Sequence, residues 1–191
     1  MGGRRNVSMK RVFSKPLVKY WLPALIMLCI IRIESTAYMG GSNTYRWLIA
    51  LYHWAGIDVT GQAAEDVNFL ARKSGHFIGY ALLSFLSFRA MRGTYLFLHF
   101  GFAGWRSSHA WEALRQLGFR AVWQWPWALV GWSVAALTAV ADELHQMYLP
   151  GRTGTVQDMA LDSFAALVAQ VLTFFMALWV ARRRGRDRMR T

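Results

Sequence analysis

The sequence predicts an all-α fold: a polytopic membrane bundle of about four transmembrane helices, with one or two further helices lying in the interface. Three observations carry this expectation. Hydrophobic residues make up 55% of the chain and aromatic residues 15%, which is high for a soluble globule. Four stretches, 17–34, 68–88, 125–144 and 159–180, come close to the roughly 20 mainly apolar residues that cross a hydrocarbon layer. Basic residues are also distributed unevenly. With the N-terminus taken as cytoplasmic, 17 of the 22 Lys and Arg fall inside together with 2 acids, while 5 lie outside with the other 8 acids. Short cytoplasmic loops are enriched in Lys and Arg, so both termini are expected in the cytoplasm and the chain in the plasma (inner) membrane. The expected organisation is a basic cytoplasmic N-terminus over 1–16, a transmembrane domain over 17–180 and a basic tail over 181–191.

The elements follow in order. The first span comes after Arg4, Arg5, Lys10, Arg11, Lys15 and Lys19, and Ser35-Thr36-Ala37 resembles a signal-peptide cleavage site. Arg32 and Glu34 sit just before that site and three more hydrophobic segments follow, so the first span is expected to stay uncleaved. Cys29 has no disulfide partner or metal-ligand spacing and reads as a small packed residue. Residues 45–57 carry Trp47, Leu48, Leu51 and Trp54 at helical spacing, which suits a helix in the outer interface. The second span places Lys73, His76 and Tyr80 on one face and Gly75 and Gly79 roughly opposite, for close helix packing. Residues 94–103 are apolar and either extend an interfacial element or form a re-entrant turn. An inner interfacial helix is expected over 106–119, with Trp111, Leu114 and Leu117 along one face. Trp123, Trp125 and Trp127 read as anchors where the third span enters the membrane.

The third span ends in Asp142, Glu143, His145 and Gln146, with Asp142, His145 and Gln146 sharing a face. Pro150, Gly151 and Gly154 then mark a tight turn that presents Arg152. The fourth span opens with Asp158 and Asp162 on a face continued by Ala165, Ala166 and Ala169, and these small residues are expected to turn both aspartates into the bundle. Three helix ends thus bring ionisable groups to the outer side. Ionisable residues in membrane segments are costly and by default mark a functional site. The competing reading is an ion-pair network in which Lys73 and Arg152 hold Asp142, Glu143, Asp158 and Asp162.

The run Arg72-Lys73-Ser74-Gly75-His76-Phe77-Ile78-Gly79-Tyr80, followed by Asp142-Glu143-Leu144-His145-Gln146 and by Pro150-Gly151-Arg152-Thr153-Gly154-Thr155-Val156-Gln157-Asp158, resembles the signature of the VanZ-like membrane protein family. The resemblance runs from the first span to the fourth. It marks Lys73, His76, Tyr80, Asp142, Glu143, Gln146, Arg152 and Asp158 as family motif positions. Asp162 departs from the pattern, which usually has asparagine there, and 93–124 is longer than the usual link. The resemblance implies an envelope role, since the name-giving member is associated with resistance to the glycopeptide teicoplanin, but it implies no settled reaction.

Two functions stay open on the residues. One is recognition of an anionic or lipid-linked envelope ligand, with Lys73, Tyr80, Gln146, Arg152, Asp158 and Asp162 as the binding set. The other is a membrane hydrolase or transferase acting on a lipid-linked cell-wall precursor, with His76 and Asp142 or Glu143 as acid/base groups. No metal is assigned. His76, Asp142, Glu143, Asp158 and Asp162 make a divalent ion possible, yet no metal-binding motif supports it. The net charge of +12 would suit nucleic acid by magnitude, but its placement suits membrane anchoring, so no nucleic-acid partner is expected. The bilayer is the expected partner, and the oligomeric state is not readable.

Overall fold

A computed structural model describes residues 15–105, 118–150 and 152–188. Among them are five α-helices and no strand: α1 (Lys15–Glu34), α2 (Gly41–Trp54), α3 (Gln62–Trp105), α4 (Trp125–Gln146) and α5 (Val156–Arg188). Short 3₁₀ turns occupy Ala37–Met39 and Gly118–Ala121. The inner interfacial helix expected over 106–119 lies almost wholly outside the described residues.

α3 is the spine of the bundle and packs against α1, α2, α4 and α5. It runs antiparallel to α1: Trp21 Nε1 donates to Thr94 Oγ1 at 3.0 Å, while Gly79 meets Met27 and Ile31. It runs antiparallel to α4 as well, since Trp127 packs on Phe88 and Tyr95 and Glu143 lies beside His76. α5 is parallel to α3, with Asp158 against Lys73 and Gln170 against Ser84. The result is an up-down-up-down bundle. It gathers the C-terminal ends of α1 and α4, the first half of α3 and the N-terminal end of α5 at one end.

The core is built from Ile31, Tyr80, Leu83, Ala135, Ala139 and Ala166. Small residues let helices approach closely where lipid gives no hydrophobic drive to association. Gly131 is the tightest such point in the middle of the bundle. A Cβ there would lie 2.7 Å from the Ser84 carbonyl oxygen and 2.7 Å from Gln170 Nε2. Polar groups at this crossing bond to one another: Ser84 Oγ donates to Ala166 O at 2.9 Å, and Gln170 Nε2 donates to Ser84 Oγ at 2.7 Å.

The surface is apolar where a soluble bundle would be polar. Leu22, Ile26, Leu137, Phe164, Leu172 and Phe175 are all exposed, and exposed apolar area on this scale marks a membrane or partner surface. Two segments, Gly118–Gln146 and Val156–Arg183, are long and apolar enough to cross a bilayer. Lys19, Arg32 and Glu34 in α1, and Arg72, Lys73 and His76 in α3, dilute those helices with polar groups.

Four expectations change here. Residues 94–103 form no re-entrant turn; they continue α3, whose 44 residues run unbroken to Trp105, because the stretch holds no proline and its Thr94 is held by α1. Trp127 is not an interface anchor: it is 1% exposed and fills the space between Phe88 and Tyr95. Trp125 does face outward. Cys29 is exposed rather than packed, because it lies on the outward face of α1. Only Gly79 of the glycine pair packs against a helix; Gly75 is exposed, with open space beside it.

Candidate functional site

The site is built around the entry to α5. Thr155 caps this helix: its Oγ1 accepts the Asp158 N–H at 3.1 Å, satisfying one of the orphan donors of the first turn. Its own N–H donates to Glu143 Oε2 at 2.9 Å, so the carboxylate at the end of α4 fixes where α5 begins. The chain reaches this cap only because residue 154 lacks a side chain. A Cβ on Gly154 would fall 2.2 Å from the Glu143 carbonyl oxygen and 2.8 Å from Met147 Cγ. Gly154→Ala is therefore expected to push the loop off α4 and to cost about 1.5 kcal/mol, a typical overpacking penalty. Thermal unfolding in detergent would show it as a lowered midpoint, and an unchanged midpoint would mean that the loop yields freely.

From that start, α5 lies against α3 in register. Lys73 Nζ pairs with Asp158 Oδ1. One turn further on, His76 Nδ1 lies 3.4 Å from Asp162 Oδ2. Of the two carboxylates expected beside His76, Glu143 is there, with an oxygen within 4.8 Å of a ring nitrogen, but the carboxylate in closest contact is Asp162. The reason is helical register: the Lys73-to-His76 step of three residues matches the Asp158-to-Asp162 step of four. Asp142, 1% exposed, turns toward α1 instead, where Arg32 Nη1 lies 3.3 Å from its Oδ1. Gln146 Nε2 donates to Asp142 Oδ2 at 3.0 Å and to Ser35 Oγ at 3.3 Å. His145 is exposed and does not share this inward face.

Arg152 is 7% exposed and its donors point at backbone. Nε and Nη2 donate to Thr36 O at 3.2 and 2.9 Å, and Nη2 also donates to Glu34 O. It thus caps the C-terminal end of α1, where carbonyls are left without intrahelical partners and a cation is electrostatically favoured. Burial, with the nearby Arg72 guanidinium adding repulsion, pushes Arg152 below its ordinary range. Tyr80 is 1% exposed and belongs to the core under the site rather than to a cavity wall, with its ring centroid 6.2 Å from that of His76.

Two cavities open at this end. One, of about 170 Å³, is polar and lies among Lys73, His76, Glu143, Gln146, Asp158 and Asp162. The other, of about 330 Å³, runs between α2 and α3 past Trp47, Leu48 and Leu51 to Arg72, His76 and Arg152. Arg72 and His76 border both. Arg72 forms no ion pair among the described residues. The sequence reading passed over it as a site residue, although it opens the first motif. The signal that could have found it was its position one residue before Lys73, which turns it toward α2. His76, Glu143 and Asp162 also bring a nitrogen and two carboxylate oxygens within 4.8 Å of one another.

A model of the VanZ/LLP1 family matches residues 20–177, a stretch that includes every residue of this site. The chain belongs to the VanZ/LLP1 family. This agrees with the resemblance carried by the three motifs, and together with the two bilayer-length helices it points to a membrane protein. Comparison with curated proteins and with solved structures gives no match.

Proposed function

We propose that this protein recognises an anionic, lipid-linked ligand of the cell envelope, with the apolar chain in the groove between α2 and α3 and the charged headgroup at Arg72. The observation that carries the reading is the 330 Å³ groove itself, apolar along Trp47, Leu48 and Leu51 and ending at two guanidinium groups. Largely apolar clefts with a few convergent polar groups are the usual form of a ligand site. A planar guanidinium with open donors suits phosphate or carboxylate bidentately. With Arg152 committed to the end of α1, Arg72 is the cation left to meet the headgroup.

In this reading α1, α3, α4 and α5 all cross the plasma membrane, α2 lies in the outer interface and both termini are cytoplasmic, as the placement of Lys and Arg favours. The site then faces outward, where cell-wall precursors and glycopeptide antibiotics meet the membrane. Native mass spectrometry of the full chain in detergent, with a long-chain prenyl phosphate and the matching prenyl alcohol, tests it. The phosphate is expected to bind and the alcohol to bind weakly. Arg72→Ala is expected to lower phosphate affinity by roughly tenfold or more, the scale of one charge-assisted contact. Equal binding of phosphate by wild type and Arg72→Ala would sink the proposal.

An enzymatic reading has one specific support, the His76–Asp162 pair in the polar cavity, whose His76 also borders the groove next to the headgroup position. There His76 would serve as base with Asp162 orienting it, in place of Asp142. Turnover of a labelled lipid-linked precursor, abolished in Asp162→Asn while binding persists, would favour it over pure recognition.

A further inference from the structure

We propose that His76, Glu143 and Asp162 form a binding site for one divalent transition-metal ion, of the kind represented by Zn²⁺ or Mn²⁺. The proposal does not rest on the lipid reading, since it needs neither the apolar groove nor Arg72.

Three helices supply one ligand each: His76 from α3, Glu143 from α4 and Asp162 from α5. Their donor atoms lie within 4.8 Å of one another, so that small side-chain shifts toward a common centre would let a single ion meet all three at about 2.0–2.2 Å. One imidazole and two carboxylates suit borderline ions, whereas an all-oxygen shell would suit Mg²⁺ or Ca²⁺. Three protein ligands leave a further coordination position, as in metal sites that bind water or substrate. All three ligands border the polar cavity of about 170 Å³, which gives an ion and a small ligand a route in.

Charge points the same way. Glu143 is 2% exposed and Asp162 1%. Among the described residues, Lys73 is committed to Asp158, Arg32 to Asp142, and Arg152 to the carbonyls of Glu34 and Thr36, while Arg72 borders the same cavity but forms no ion pair with either carboxylate. Two buried carboxylates thus share a single imidazole, and a surplus of buried negative charge is costly unless a cation neutralises it. The surroundings resemble a supporting shell: the Thr155 N–H holds Glu143 at 2.9 Å, which fixes a metal-binding carboxylate in orientation. The buried Tyr80 ring packs beneath the cluster, with its centroid 6.2 Å from that of His76.

The test uses the full chain, purified in detergent and stripped with a chelator. Zn²⁺, Mn²⁺ and Mg²⁺ are titrated separately, with bound metal per chain measured after equilibrium dialysis and thermal unfolding followed in parallel. One Zn²⁺ or Mn²⁺ per chain is expected, with Mg²⁺ weaker, together with a higher unfolding midpoint in the loaded form. Asp162→Asn and His76→Ala should each weaken binding at least 100-fold, and Glu65→Gln, on the exposed start of α3, should bind as wild type. Because a variant that fails to fold also loses metal, Asp162→Asn is decisive: its metal-free form should unfold no earlier than the metal-free wild type, yet gain nothing from added metal. Co²⁺ serves as a spectroscopic probe, and its visible bands should change in His76→Ala. Absence of stoichiometric binding by the wild type, or full affinity in folded Asp162→Asn, overturns the proposal. Loss of prenyl phosphate binding in Arg72→Ala bears only on the groove.

Discussion

Replacing Arg152 by methionine is expected to lower the amount of folded protein in the membrane severalfold and to cost about 3 kcal/mol in detergent. Methionine keeps most of the aliphatic volume, so the loss is that of the donors. Arg152 makes three hydrogen bonds to two carbonyls at the end of α1. Bonds from a charged donor contribute about 1.5–3 kcal/mol each and are not additive when they act together. Without them the Glu34 carbonyl loses its side-chain partner at a helix end, where such groups need one, and Thr36 O keeps only the Met39 N–H at 3.1 Å. Arg152→Lys should recover only part of the stability, because an ammonium on a flexible stem cannot reproduce the planar fork. Membrane abundance and the unfolding midpoint provide the check. Should Arg152→Met keep both at wild-type values while losing prenyl phosphate binding, Arg152 would be a ligand cation and its capping role would fall.

That outcome also shows where sequence reading reaches its limit. The helical fold was legible because apolar runs of bilayer length and helical spacing are local features, and α1, α2, α4 and α5 lie close to where the spacing puts them. The inward turn of Asp162 was legible too, because Ala165, Ala166 and Ala169 mark the buried face and are indeed buried. Pairing was a different matter. Whether His76 meets Asp142 or Asp162 depends on the register between α3 and α5, and no local pattern encodes it. Arg152 looked like a free cation because the carbonyls that it caps lie 116 and 118 residues away in the chain and carbonyls leave no mark in a sequence. Trp127 misled for a related reason: a tryptophan near the start of a span reads as an anchor whether it faces out, as Trp125 does, or in.

The second large effect is expected at Arg32, which the sequence marks as the end of the first span and not as a site residue. Asp142 is 1% exposed, and among the described residues Arg32 is its ion-pair partner, at 3.3 Å. Removing one partner of a buried pair leaves an uncompensated charge, which costs about 3–5 kcal/mol. Because the Arg32 side chain is 48% exposed, solvent screening reduces this, and Arg32→Met should cost about 2–3 kcal/mol. The double variant Arg32→Met/Asp142→Leu should recover most of the loss, since replacing a buried pair by apolar groups is often neutral, with the unmatched Gln146 amide limiting the recovery. The coupling between the two sites is read from the cycle of single and double variants. The same cycle assigns Asp142 its role. If Asp142 serves to hold α1 against α4, the double variant regains prenyl phosphate binding along with stability. A stable double variant that stays without function would return Asp142 to the chemistry of the site, and with it the acid/base role that its sequence position first suggested.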